Sequence, residues 1–145
     1  IPINKVGRNS SNLNALEEAF KENNALLYFP AGLCSRKKNG EIKDLEWKKT
    51  FVKKAVQYHR DITPVYVDAK NTNRFYNIAN LRKKIGIKFN IEMIYLPREM
   101  VNSENANYTI TIGNTISWQS LKPENGKSTQ DKADEIREIV YKLKQ

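Results

Sequence analysis

Short apolar runs alternate along this chain with longer segments in which apolar residues recur every three or four positions. Short runs closed by Pro, Gly or Asn are typical of strands, whereas the longer spacing is typical of one face of a helix. The runs predict strands at residues 1–4, 25–29, 62–67 and 108–112.

The helical spacing predicts four helices between and after these strands. Residues 88–96 fit either period, and residues 37–40 predict a turn. We interpret Trp47 and the other aromatic residues at helical spacing as core residues rather than as a ligand site. The predicted helices begin at Ser10 or Ser11, at Asp44, at Asn73 (ending at Gly86), and at Thr129 or Asp131.

Strands that alternate with helices favour an α/β fold with a mixed, largely parallel sheet flanked by helices. A length of 145 residues allows one domain with a single core, so we expect residues 1–145 to form a single domain. The chain starts without Met in an apolar, strand-like segment. We therefore expect a truncated domain, a piece of a longer protein.

The net charge of +9 is unevenly distributed. Residues 36–60 contain nine Lys and Arg against three Asp and Glu, and residues 70–98 contain seven against one. Such clusters indicate an anionic partner, such as phospholipid head groups, an acidic carrier protein or nucleic acid. The alternative for each single lysine is an ordinary solvated helix face.

The sequence contains one cysteine, Cys34, and one histidine, His59. A single cysteine excludes an internal disulfide and fits a reducing compartment, and together the two residues disfavour a zinc site. We expect no cofactor. Cys34 would need a nearby base to act as a nucleophile, so we interpret it as a small loop residue and His59 as a partly buried helix residue.

Residues 28–37 combine the end of an apolar run, a Pro-Ala-Gly turn and a group of polar and basic residues. Loops that follow strands in open α/β sheets are common ligand sites. Gly32 permits a positive φ or a close approach of the backbone to a ligand. Ser35 can donate a hydrogen bond, and the guanidinium of Arg36 matches a phosphate or carboxylate. The alternative is a strand end followed by a turn and solvated basic residues.

The order of these motifs resembles the glycerolipid acyltransferase family, the lysophosphatidate-acyltransferase-like proteins. Residues 1–8 resemble the family's second block, "I-P-x-x-R", and residues 29–36 resemble its third block, "F-P-E-G-T-R-S". Residues 63–65 resemble the "V-P-V" strand, and residues 108–116 resemble a late strand of the form "I-x-I-G-x-P-I". The third block is most similar to that of the haemolysin-like subgroup, which acylates lyso-aminolipids or lysophospholipids.

Two departures from the family pattern affect the chemistry. The family's first block, His-x-x-x-x-Asp, which supplies the catalytic base, does not occur in this sequence, and the residue five positions after His59 is Pro64. In the third block, Ala31 replaces the usual glutamate and Cys34 occupies the usual arginine position. Arg36 is the nearest candidate to supply that cation.

The resemblance implies an enzyme that moves a fatty acyl group from a thioester, an acyl-carrier protein or acyl-coenzyme A, to the hydroxyl of a lysolipid acceptor. We expect the intact protein to be active and this fragment alone to be inactive. An anionic membrane surface is the expected partner, no nucleic acid is expected, and the expected location is peripheral, on the cytoplasmic face of the membrane. The implied substrate-binding residues are Lys5, Arg8, Pro30, Ala31, Gly32, Ser35 and Arg36.

Two alternatives stay open from the sequence. One is a non-catalytic basic module that binds nucleic acid or an acidic partner, which the two positive clusters favour. The other is a degenerate acyltransferase with a scaffold role, which the changes at Ala31 and Cys34 favour.

Overall fold

The computed structural model describes residues 10–124 and 126–144. In this part of the chain five α-helices and four short strands alternate with irregular segments, and two 3-10 helices occur at Ile91–Tyr95 and Trp118–Leu121. The α-helices and strands are α1 Ser10–Lys21, β1 Arg36–Lys38, β2 Glu41–Lys43, α2 Thr50–Gln57, β3 Val65–Asp68, α3 Asn73–Lys84, α4 Leu96–Asn102, β4 Thr109–Ile112 and α5 Thr129–Lys142.

The strands form two small antiparallel sheets. Strands β1 and β2 make a hairpin, and β3 pairs with β4 so that Val65 faces Ile112. The prediction of a largely parallel sheet is therefore wrong, while the coarser prediction of mixed helices and sheet is confirmed. The hairpin turns back at once because Asn39 and Gly40 both have positive φ, 51° and 86°, as a two-residue hairpin turn requires.

Residues 25–29 form an irregular segment and not the predicted buried strand. The side chains of Leu27 and Phe29 are 78% and 71% exposed. A strand needs a neighbour to satisfy its backbone groups, and none of the described strands pairs with this segment. The segment is tethered beside its ends, where the Arg60 guanidinium donates to the carbonyl of Asn24 and Lys48 N–H donates to Pro30 O. The strand predicted at residues 1–4 lies outside the described residues.

The core forms where α2 packs against α5. Trp47, before α2, is buried, which confirms its predicted role. A capping box starts α5, because Ser128 Oγ accepts from Asp131 N–H and the Asp131 carboxylate accepts from Ser128 N–H. The buried residues of this core are Trp47, Phe51, Val52, Ala55, Leu121, Ala133, Ile136 and Val140.

The other predicted elements agree with the structure to different degrees. Helix α3 starts at Asn73 as predicted, with Thr72 as its N-cap, and the chain leaves it at Gly86, whose φ is +79°. Helix α2 starts at Thr50 rather than Asp44. The Asp44 carboxylate accepts hydrogen bonds from the side chains of Ser35 and Trp47, so it does not cap a helix. Residues 88–96 contain the first 3-10 helix and the start of α4. Among the described helices, none has the length and apolar character needed to cross a bilayer.

Candidate functional site

The predicted ligand loop, residues 29–36, is a tight turn followed by an irregular segment that leads into β1. Gly32 N–H donates to Phe29 O at 3.1 Å, and Gly32 has a φ of +65°. A Cβ at this position would meet no atom within 4 Å, so the backbone conformation, rather than a close approach, favours glycine. Because Gly32 N–H is used in the turn, an anion-binding concavity here would depend on the N–H groups of Ala31 and Leu33.

Ser35 is held by the carboxylate of Asp44, a residue that the sequence predicts only as a helix start. Its hydroxyl donates to Asp44 Oδ1 at 2.6 Å, and Trp47 Nε1 donates to Asp44 Oδ2 at 3.1 Å. The Asp44 backbone is also fixed, since its N–H donates to Tyr141 Oη and its carbonyl accepts from Arg137. Asp44 thus ties the loop to the core helix α5, and Ser35 has a positioning contact in the structure. Its predicted contact with a ligand stays a prediction.

Arg36 is held on the other side of the loop by a second carboxylate, Glu92. Arg36 Nη2 donates to Glu92 Oε1 at 2.7 Å, while Nη1 donates to Cys34 O at 2.8 Å. Arg82 Nε lies 2.9 Å from Glu92 Oε2. The Glu92 side chain is completely buried, and buried carboxylates of this kind depend on their cationic partners. The Arg36 guanidinium therefore joins the loop to α3 and the first 3-10 helix.

An open cleft of about 1360 Å³ lies between residues 25–35 and residues 60–71. The core residues Phe51 and Ile136 also line it. Of the predicted site residues, Pro30, Ala31 and Ser35 line the cleft, and Gly32 lines a smaller neighbouring pocket of about 650 Å³. Arg36 lines neither of these cavities.

Several cationic side chains also line the cleft. Lys43 pairs with Glu41 at 2.9 Å and Lys70 lies 4.0 Å from Asp68, and both lysines are exposed. Lys144, also exposed, lines the same cleft. A long apolar wall with cations near it can accommodate an amphiphile with an anionic head group.

Cys34 lines the cleft but does not have the character of an activated nucleophile. Burial raises the pKa of its thiol, and the nearby Arg36 opposes that effect only in part. A raised pKa keeps the thiol protonated near neutral pH, which lowers its reactivity. This agrees with the interpretation of Cys34 as a small loop residue.

His59 is not the partly buried helix residue that the sequence predicts. Helix α2 ends at Gln57, and His59 lies in the following turn with a φ of 52° and an exposed side chain. Its ring lies against that of Trp118, with a centroid distance of 4.1 Å and a tilt of 30° between the ring planes. The positive φ is the physical reason for the difference, because it ends the helix before His59.

Two predicted site residues, Lys5 and Arg8, lie outside the described residues. Two residues that fix the loop, Asp44 and Glu92, were missed as site residues. The sequence contains a signal for Glu92, because it is the single acidic residue within the basic segment 70–98 and lies between Ile91 and Met93. A lone carboxylate with apolar neighbours in a basic segment is a candidate for a buried ion pair. No such signal marks Asp44.

Comparisons with known proteins agree with the motif order. A family described as "Acyltransferase" matches residues 1–145. A lyso-glycine lipid O-acyltransferase of Phocaeicola vulgatus is 47% identical over 99% of this chain and 51% of its own length. A lyso-glycine lipid O-acyltransferase of Bacteroides thetaiotaomicron is 44% identical over 99% of this chain and 52% of its own length.

The chain thus spans about half the length of these curated relatives. No solved structure matches it significantly. Because the family match covers the whole sequence, the chain belongs to the acyltransferase family, and the resemblance drawn from its motifs is confirmed.

Proposed function

We propose that this protein takes part in transferring a fatty acyl group from a thioester to the hydroxyl of a lysolipid, with a lyso-glycine lipid as the acceptor. The observation that carries the proposal is the loop at residues 29–36. It has the family's third-block pattern, lines an apolar cleft through Pro30, Ala31 and Ser35, and is fixed by two carboxylates. The two relatives, both lyso-glycine lipid O-acyltransferases, support this choice of acceptor.

The chemistry needs three contributions, of which the described residues can supply two. A base must take the proton of the acceptor hydroxyl, a donor must stabilise the oxyanion that develops on the thioester carbonyl, and the acceptor must be positioned. The N–H groups of Ala31 and Leu33 are candidates for the donor. The cleft and its cations are candidates for positioning. The base belongs to the His-x-x-x-x-Asp block, which this sequence does not contain.

The acceptor head group gives the cations of the cleft a role. A free glycine carboxylate on the acceptor would favour a cationic partner. Arg36 donates to Glu92 and to Cys34 O and does not line the cleft, so other cations are better placed for the head group. Lys70 and Lys144, together with the predicted Lys5 and Arg8, are the remaining candidates for the head group.

The donor is proposed to be an acyl-carrier protein or acyl-coenzyme A. Both carry the thioester at the end of a phosphopantetheine arm, and the basic character of the chain suits the phosphate groups at the other end of that arm. Family membership favours the enzyme over the basic binding module. Only a measurement of activity distinguishes the enzyme from a degenerate acyltransferase with a scaffold role.

The test is the release of free thiol from acyl-coenzyme A or acyl-carrier protein in the presence of lyso-glycine lipid or lysophosphatidate. Two proteins are compared: this 145-residue chain, and a chimera in which this chain replaces the matched part of the Phocaeicola vulgatus relative. We expect no turnover by the chain alone, and turnover by the chimera with preference for lyso-glycine lipid.

Two outcomes would contradict these expectations. Turnover by the chain alone that is lost in His59→Ala would overturn the assignment of the base to the His-x-x-x-x-Asp block. A chimera that melts like the parent relative but acylates no acceptor would overturn the enzyme and favour the scaffold.

A further inference from the structure

Exposed apolar side chains are concentrated in residues 81–101. Seven of the sixteen large apolar residues that are exposed in the described chain lie in this segment. Phe89 is 81% exposed, Ile94 77% and Met100 75%. Apolar residues concentrated in one segment in this way, rather than scattered singly along the chain, make that segment a candidate interaction surface.

These side chains belong to α3, the first 3-10 helix, α4 and the residues that connect them. Helix α3 contacts the first 3-10 helix, which in turn contacts α4. Arg82 joins these elements, because its Nε lies 2.9 Å from the buried Glu92 and its Nη1 donates to Ile87 O at 2.8 Å. The apolar residues therefore project from packed elements.

The same segment is strongly basic. Lys83, Lys84, Lys88 and Arg98 lie among the apolar residues. The two acidic residues between Asp68 and Glu104 are both engaged, since Glu92 is buried with two arginines and Glu99 accepts from the N–H and hydroxyl of Thr72. The segment thus combines a net positive charge with exposed apolar side chains.

The other basic cluster, residues 36–60, lacks this combination. Its described residues include one exposed large apolar side chain, Leu45, which is only 37% exposed. Its apolar residues Phe51 and Val52 are buried in the core, and Lys54 pairs with Glu17 at 2.7 Å. The two basic segments therefore differ in the exposure of their apolar side chains, a difference that their charge in the sequence does not show.

We propose that residues 81–101 form a docking surface for an anionic lipid bilayer. The lysines and Arg98 would bind lipid phosphates, while Phe89 and Ile94 would enter the boundary between head groups and acyl chains. A nucleic acid would use the charges but would leave the exposed apolar side chains without a role. The proposal does not depend on the acyl transfer proposed above.

Vesicle binding tests this surface. The protein is titrated with vesicles of phosphatidylcholine and with vesicles that also contain phosphatidylglycerol, at low and high salt. Lys83→Gln with Lys84→Gln should weaken binding to the anionic vesicles by roughly twenty-five-fold, because each basic residue contributes about five-fold. Phe89→Ser with Ile94→Ser should weaken it by about ten-fold or more.

Matched controls come from the rest of the chain. Lys48→Gln with Lys49→Gln removes the same charge from the other basic cluster, where both lysines are exposed. Ile110→Ser with Ile112→Ser removes two apolar side chains of β4 that are 62% and 69% exposed. Both controls should bind within about two-fold of the unchanged protein, since surface substitutions away from a site have small effects.

Equal binding to neutral and anionic vesicles, or equal losses in the controls, would overturn the proposal. Two other occupants give distinct results. A second copy of the chain would show as a concentration-dependent dimer that Phe89→Ser disrupts, without vesicle binding. A nucleic acid would show as RNA binding that Lys83→Gln weakens but Phe89→Ser leaves intact. Either result in place of vesicle binding overturns the membrane assignment.

Discussion

Replacing Glu92 with alanine should destabilise the protein more than any loop substitution at the surface. The change leaves Arg36 and Arg82 without their shared carboxylate, and removing one partner of a buried ion pair typically costs about 3–5 kcal/mol. The side chains of these arginines are 17% and 12% exposed, so water can partly hydrate them once the carboxylate is removed. We therefore expect a loss near the lower end, about 3 kcal/mol.

This loss is a large share of the free energy of unfolding, which is about 5–15 kcal/mol for a typical domain. Urea unfolding followed by tryptophan fluorescence, to which the buried Trp47 and also Trp118 contribute, measures it. With a slope of about 1–3 kcal/mol per molar urea, the midpoint should fall by about 1–3 M. Glu92→Gln keeps an acceptor oxygen but loses the charge, so it should cost less, about 1.5–3 kcal/mol.

A double-mutant cycle separates the ion pair from the cavity that the truncation leaves. If Arg36 and Glu92 interact as described, Glu92→Ala should cost less in the Arg36→Ala background, with a coupling of about 0.5–3 kcal/mol. Glu104→Ala, an exposed glutamate beyond α4, should change stability by about 0.5 kcal/mol or less. Additive losses at Arg36 and Glu92, or a loss at Glu92 no larger than at Glu104, would refute the reasoning.

Two further predictions concern titrating groups. Burial raises the pKa of the Cys34 thiol, so iodoacetamide should react more slowly with Cys34 than with the thiol of glutathione at the same pH. Unfolding the protein in urea should remove this difference. Equal rates for the folded protein and glutathione would contradict the described burial. Hydrogen bonds from Ser128 lower the pKa of Asp131 from its ordinary value of 3.8, so its stabilising contribution is present above that value and is lost as the pH falls through the lowered one. Asp131→Asn should therefore reduce the loss of thermal stability below about pH 4, and identical melting profiles against pH would contradict this.

Local signals predicted the elements whose ends are fixed by nearby residues. The starts of α3 at Asn73 and α5 at Thr129 and the end of α3 near Gly86 could be predicted, because N-caps, here Thr72 and Ser128, and positive-φ glycines act within a few positions. Trp47 is buried as predicted, although it precedes α2 rather than lying on that helix.

Features that depend on distant partners could not be predicted in the same way. Residues 25–29 have the composition of a buried strand, but pairing requires a neighbour that the described chain does not supply. Asp44 looked like a helix cap, yet its partners Ser35 and Tyr141 come from both sides of the sequence. Arg36 looked like a free cation, and its partner Glu92 is 56 positions away.

The packing of α2 against α5 has a consequence for synthesis on the ribosome. Gln130 Nε2 donates to Trp47 O, and Arg137 donates to Asp44 O, across 83 and 93 positions of sequence. Because synthesis proceeds at about 5–20 residues per second, α5 is completed roughly 4–17 s after α2. During that interval the apolar face of α2 has no partner from α5, and the nascent chain offers chaperones a hydrophobic segment that the finished core later conceals.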